Sequence, residues 1–276
     1  MTEALIHPVT KAQLDHMTNQ FPHAVLFHGP MGVGLTGIAI YLAKATNSFT
    51  TTVLPVKDDL IDEEKGVITV KQIRGLYEQT KTIPQGHRFI VIDYAERMGK
   101  QAQNAFLKLL EEPGEGTHFL LLSHDTSSLL PTIVSRVQTV EVRPVTHQQS
   151  VALLDQLNVI DATKRSQLLF IADGKPAELS RLIKDEEAFQ ARATLIRDAR
   201  TLLQGTPYDK LAVIQYYKDD RPASVTLVTD AMAMLRTSLT KQSSATTITK
   251  LTHLLESYER LQMNGNIRLQ LAAFVV

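Results

Sequence analysis

The chain contains no cysteine, which excludes disulfides, thiolate nucleophiles and cysteine-ligated zinc. It also lacks net charge: 29 basic residues stand against 29 acidic ones, so no overall field draws the molecule to nucleic acid or an anionic membrane. Any DNA contact is therefore expected to be local or made through partners. Long hydrophobic runs are missing too. No stretch approaches the roughly 18 apolar residues of a membrane-spanning helix, and positions 1–20 mix charged and polar side chains. These absences predict a protein that is neither exported nor membrane-spanning, with a cytoplasmic location. What remains is 276 residues, 43% hydrophobic and 21% charged, the composition of a soluble globular protein of two or three domains.

The most informative stretch is Gly29-Pro30-Met31-Gly32-Val33-Gly34-Leu35-Thr36. It fits the phosphate-loop pattern GxxxxGK[ST] except at the lysine position, where Leu35 stands. In such a loop, glycines let backbone N–H groups close around phosphate oxygens, the lysine neutralises the terminal phosphates, and the hydroxyl holds magnesium. This chain has the cradle without the cation. An apolar run at 24–27 precedes the loop and a helical pattern at 36–45 follows it, the order a phosphate loop requires. The alternative is an ordinary strand-to-helix turn rich in glycine.

From 21 to about 142 short apolar runs alternate with helical patterns, predicting a mainly parallel α/β sheet. Candidate strands are 24–27, 66–70, 89–92, 118–122 and 138–142, and the acid-rich segment 46–65 reads as an irregular surface loop. After Pro144 strand signals stop. Helices are expected at 146–157, 164–172 and 176–183, followed by an all-helical last third with turns at 205–207 and 242–244.

A second motif, Phe89-Ile90-Val91-Ile92-Asp93, is a buried-strand pattern ending in a carboxylate suited to hold magnesium beside a phosphate loop. A glutamate that would polarise attacking water is replaced by Tyr94. The plainer reading is an aspartate capping the next turn.

At this point the residues resemble a known family. Phe21 to Pro30, Val91-Ile92-Asp93-Tyr94-Ala95-Glu96-Arg97-Met98, Asn104-Ala105-Phe106-Leu107-Lys108-Leu109-Leu110-Glu111-Glu112-Pro113 and Leu130-Pro131-Thr132-Ile133-Val134-Ser135-Arg136 are similar to the bacterial clamp-loader AAA+ proteins. The terminal Asn264-Gly265-Asn266-Ile267-Arg268-Leu269 resembles the end of that family's collar domain. The resemblance implies a P-loop NTPase-like AAA+ α/β core with a parallel sheet over 1–144, a small helical lid over 145–188 and a helical collar for oligomerisation over 189–276. It places Gly29, Gly32, Gly34 and Thr36 in the nucleotide loop and Asp93 at the magnesium position. Met98, Ala102, Ala105, Phe106 and Leu109 become one apolar helix face beneath the sheet.

The Ser135-Arg136 pair falls at the family's Ser-Arg-Cys motif, with Val137 in place of the cysteine. By resemblance Arg136 is an arginine finger supplied in trans to the ATP of a neighbouring subunit. The plainer alternative is a surface arginine paired with a nearby carboxylate. Leu35 and Tyr94 each remove a group needed for hydrolysis, which implies a pseudo-ATPase with no cofactor of its own beyond weak ATP binding. The second-sensor stretch Gly174-Lys175-Pro176-Ala177-Glu178 lacks an arginine at the start of its helix, leaving Lys175 as a weak substitute. Many family members carry a four-cysteine zinc module after the first helix; 46–65 has no cysteine, so that module cannot bind zinc in the usual way here.

His23, His28, His118 and His124 show no metal-ligand spacing, so no metal site is expected. Arg97, Lys100 and Lys108 form either a solvated helix face or a contact to DNA phosphates in an assembled loader. The implied function is that of a non-hydrolysing clamp-loader subunit of the DNA polymerase III holoenzyme, not an enzyme by itself. Its implied partners are other clamp-loader subunits in a hetero-oligomer, with sliding clamp and primed DNA met through the complex and no membrane. Two alternatives are an ATP-binding, catalytically active clamp-loader-like ATPase and a free-standing DNA-binding module. Charge balance disfavours the second.

Overall fold

The computed structural model describes residues 4–18, 20–63, 65–82, 84, 86–241 and 244–274. The chain divides into two compact units, Met1–Arg181 and Leu182–Val276.

The first unit runs α1 (Pro8–Met17), β1 (Ala24–His28), α2 (Leu35–Ala45), β2 (Phe49–Val53), β3 (Val56–Lys57), β4 (Leu60–Ile61), α3 (Val70–Thr80), β5 (Arg88–Ile92), α4 (Lys100–Glu111), β6 (Thr117–Ser123), α5 (Pro131–Val134), β7 (Gln138–Glu141), α6 (His147–Gln156), α7 (Ala162–Ala172) and α8 (Pro176–Lys184), within which the unit ends. Five strands form one parallel sheet in the order β2-β5-β6-β1-β7. Both faces of its central strands are buried, which is why those strands read as unbroken apolar runs.

Strand alternation divides each run between two cores. Ile90, Ile92, Phe119 and Leu121 face Ile73, Leu76, Phe106 and Leu109. Phe89, Val91, Leu120 and Leu122 share the opposite core with Leu14, Met17, Ile38 and Leu42. The expected apolar face is borne out on α4 for Ala102, Phe106 and Leu109, buried in the first core, and Ala105, packed against it, whereas Met98 is buried in the same core but precedes the helix in extended backbone.

Two expectations are corrected. Segment 46–65 is not an irregular loop, because 49–53 forms edge strand β2 on β5 and 56–61 forms the β3–β4 hairpin. The three threonines of β2 hide the strand: they are β-branched and suit a pleated edge, yet they carry no apolar signal. Segment 66–70 is not a strand. Val67 and Ile68 make isolated bridges to Val56 and Met98, and a capping box between Thr69 and Gln72 starts α3 at Val70.

The second unit contains α9 (Glu186–Gln204), α10 (Pro207–Tyr217), α11 (Arg221–Lys241), α12 (Ala245–Gln262) and α13 (Ile267–Ala272) around a core that includes Leu202, Ile214, Leu227, Leu254 and Leu261. Arg192 of α9 grips Asp230 of α11 through two hydrogen bonds of 2.7 and 3.0 Å. Arg221 donates to the carbonyls of Leu261 (2.7 Å) and Gly265 (2.9 Å), holding the Asn264-Gly265-Asn266 turn that joins α12 to α13. The turn expected at 205–207 separates α9 from α10, whereas residues 242 and 243 of the turn expected at 242–244 lie outside the described residues.

Candidate functional site

Strand β1 delivers the chain into a turn that only glycine accommodates. Gly32 and Gly34 take φ of 83° and 94°, and Gly34 serves as the N-cap of α2. At Gly29 a Cβ would lie 2.6 Å from the Val142 carbonyl oxygen, so the loop leaves the sheet with no room for a side chain. The next residue decides the character of the site. Leu35 is 3% exposed and belongs to the core shared by Ile38 and Leu42, so the position expected to hold a cation is an apolar anchor.

Thr36 and Asp93 come together as expected for neighbours in one site. The Thr36 hydroxyl donates to Asp93 Oδ2 at 3.1 Å, and the Tyr94 amide donates to Oδ1 at 3.0 Å. Asp93 is 6% exposed, and this burial raises its carboxyl above the ordinary range against the opposing pull of those two donors. Tyr94 adopts a left-handed backbone with φ of 54°. Its ring packs edge-on against His124 and under the Arg97 guanidinium, and its hydroxyl donates to Glu63 at 3.3 Å. Burial, followed by the nearby Glu63 charge, pushes this phenol up to about 12.

These groups border a cavity of about 300 Å³ whose lining includes Gly32, Gly34, Thr36, Asp93, Glu178 and Arg181. His124 also lines it, its Nδ1–H donating to the Gly29 carbonyl at 2.9 Å. The far wall is the first turn of α8, where the amides of Ala177 and Glu178 both point at the Gly32 carbonyl, at 3.0 and 3.4 Å. Arg181 binds the Glu178 carboxylate through Nε and Nη2, each at 2.9 Å. Arg181 lies one turn beyond the start of this helix, outside the second-sensor stretch, and no sequence motif marks it. The Glu178/Arg181 spacing of three residues, which places both on one helix face, was the available signal.

Ser135 and Arg136 are not part of this cavity's lining. They follow α5, where the Ser135 hydroxyl donates to the Thr132 carbonyl at 3.2 Å. Arg136 donates to the same carbonyl through Nη1 and meets Glu111 Oε1 through Nη2, both at 3.2 Å. Its side chain is 42% exposed. Of the three basic residues near α4, Arg97 is engaged with the Gly66 carbonyl and the Tyr94 ring, while Lys100 and Lys108 are exposed. Among the described residues no group of three or more His, Cys, Asp or Glu is placed to hold a metal ion, and no helix is long and apolar enough to cross a membrane.

Comparison with known proteins agrees with the resemblance. Residues 56–146 match the family described as DNA polymerase III, delta subunit, a segment that contains Asp93, Tyr94, Ser135 and Arg136 and begins after the glycine loop. The chain is 29% identical over 197 residues to the DNA polymerase III subunit delta' of Bacillus subtilis, covering 65% of this chain and 59% of that protein. It is 31% identical over 207 residues to the subunit delta' of Pseudomonas aeruginosa, covering 67% and 62% respectively. The chain thus spans about three fifths of the length of these relatives. The DNA polymerase III subunit tau of Escherichia coli is 32% identical over 169 residues, covering 53% of this chain and 26% of tau. Among solved structures, a DNA polymerase III gamma subunit-related protein from Thermotoga maritima superposes with a TM-score of 0.55 at 17% identity, covering 96% of this chain and 97% of that one. The fold is the α/β AAA+ fold with a helical C-terminal part, and the chain is delta-prime-like in sequence.

Proposed function

We propose that this protein is a delta-prime-like, non-hydrolysing subunit of a bacterial clamp loader, helping to place a sliding clamp on primed DNA in the cytoplasm. In this reading 1–144 is the AAA+ core, 145–188 the lid and 189–276 the collar that joins the other loader subunits. Arg136, flanked by Ser135, completes the ATP site of a neighbouring subunit. The similarity to delta-prime and tau subunits supports the loader role. One observation carries the pseudo-enzyme reading: the residue at the lysine position, Leu35, is sequestered in the hydrophobic core.

Two further observations support this reading. The hydroxyl and carboxylate that would share the metal are bonded to each other, and a tyrosine stands at the position of the water-polarising carboxylate. Without the lysine, a triphosphate loses the cation placed at its terminal phosphates and keeps the neutral hydrogen bonds of the cradle, which leaves at most weak ATP binding.

The test is steady-state ATP hydrolysis by the isolated full-length chain, in magnesium and with primed DNA present and absent. The expected result is no turnover above a blank. Sustained turnover of about one per second or faster, the low end for ordinary enzymes, would refute the proposal.

A further inference from the structure

We infer that Glu178, carried in by the first turn of α8, is a built-in anion that closes the emptied cradle, so that the missing lysine is not its sole barrier to nucleotide. This rests on reading 29–36 as a former phosphate loop. Pro176, the first residue of α8, has no amide hydrogen to offer, and the next two amides donate to the Gly32 carbonyl, so the loop itself caps the helix. The approach is close. A Cβ at Gly32 would sit 2.8 Å from the Glu178 Cβ, and the left-handed backbone there already demands glycine.

Charge reinforces the closure. Arg181 supplies the guanidinium of the cavity lining, and both oxygens of the Glu178 carboxylate hold it. The lining thus sets two carboxyl groups, Asp93 and Glu178, against the one guanidinium of Arg181 where phosphate would enter a partly desolvated space. A carboxylate in the first turn of a helix is itself favoured by the exposed amides and the helix dipole, so Glu178 has a reason to stay. A lysine restored at position 35 would meet this carboxylate as a competing partner before it met a phosphate.

The experiment is an equilibrium titration of full-length chains with a fluorescent ATP analogue in magnesium, each variant first shown to melt cooperatively. Leu35→Lys alone is expected to bind within about threefold of the unaltered chain. Leu35→Lys/Glu178→Gln, and likewise Leu35→Lys/Glu178→Ala, is expected to bind at least about tenfold more tightly than Leu35→Lys, the effect of removing one nearby like charge. Equal affinity of the single and double variants overturns the closure. If Leu35→Lys does not fold, Glu178→Gln in the natural background reads the same property: a severalfold gain supports it and no gain overturns it. ATP turnover by the unaltered chain would instead overturn the non-hydrolysing reading, so the two failures are separable.

Discussion

Replacing Arg136 by alanine separates a role in a neighbour's ATP site from a role in this chain's own fold. The arginine meets Glu111 at 3.2 Å, with side chains 42% and 57% exposed. Two unit charges at that distance in a water-like dielectric attract by about 1.3 kcal/mol, and side-chain ordering and salt reduce exposed pairs to about 1 kcal/mol or less. A loss of that size shifts the melting temperature of a chain this large by roughly 2–4 °C. An arginine finger is worth about 10³ to 10⁵ in rate, or roughly 4–7 kcal/mol. The second quantity exceeds the first severalfold, so the guanidinium can leave Glu111 for a partner's phosphate at little cost.

In a loader reconstituted from all its subunits, Arg136→Ala is expected to assemble normally and to lose single-turnover, DNA-stimulated hydrolysis at the site it completes. Glu111→Ala, which only releases the arginine, is expected to leave that rate intact. Unchanged hydrolysis with Arg136→Ala, or an equal loss with Glu111→Ala, would refute the assignment.

Two further outcomes test the electrostatics of the fold. His118 donates from Nδ1 to the Pro22 carbonyl and meets His87 Nδ1 through Nε2, both at 2.9 Å, with Phe21 and Phe89 packed against its ring. Burial holds its pKa below the ordinary 6.5, with smaller lowering from His87 and His23 against the raising effect of the Pro22 carbonyl. The unfolded chain therefore binds the proton more readily, so this contribution to stability is complete above pH 6.5 and is lost as pH falls through the folded value. Urea unfolding from pH 7.5 to 5 should show falling stability that is shallower in His118→Phe; identical slopes would contradict the assignment. In the second unit, Arg192→Ala strands the mostly buried Asp230 carboxylate and is expected to cost about 2–4 kcal/mol in denaturant unfolding. A cost under about 0.5 kcal/mol would show that the pair contributes nothing net.

The sheet was legible where strands are buried on both faces, because runs such as Phe89 to Ile92 carry their own signal. It was illegible at β2, an edge strand with two of its three threonines exposed, and at 66–70, where a capping box claimed Val70 for a helix that hydropathy alone extends into a strand. The loop glycines and Thr36 could be placed from the local strand-loop-helix order, and Asp93 from the separate pattern of a buried strand ending in a carboxylate. The closure by α8 was hidden because it joins Gly32 to Glu178 across most of the first unit, and no local pattern reports which helix returns to a given loop.

Leu35 links the site to the stability of the fold. A lysine at the mouth of a phosphate loop is a charge whose best partner is the ligand, so the loop's order depends partly on occupancy. A buried leucine instead contributes roughly 1.5–3 kcal/mol from water exclusion, with or without a ligand. The Thr36–Asp93 bond acts in the same direction, meeting within the protein a demand that a metal would otherwise meet, and the α8 amides on the Gly32 carbonyl hold the loop from its other side. A cradle held in this way keeps its shape without nucleotide. That property suits a subunit whose proposed contribution, Arg136, must be presented to a neighbour at every stage of that neighbour's cycle.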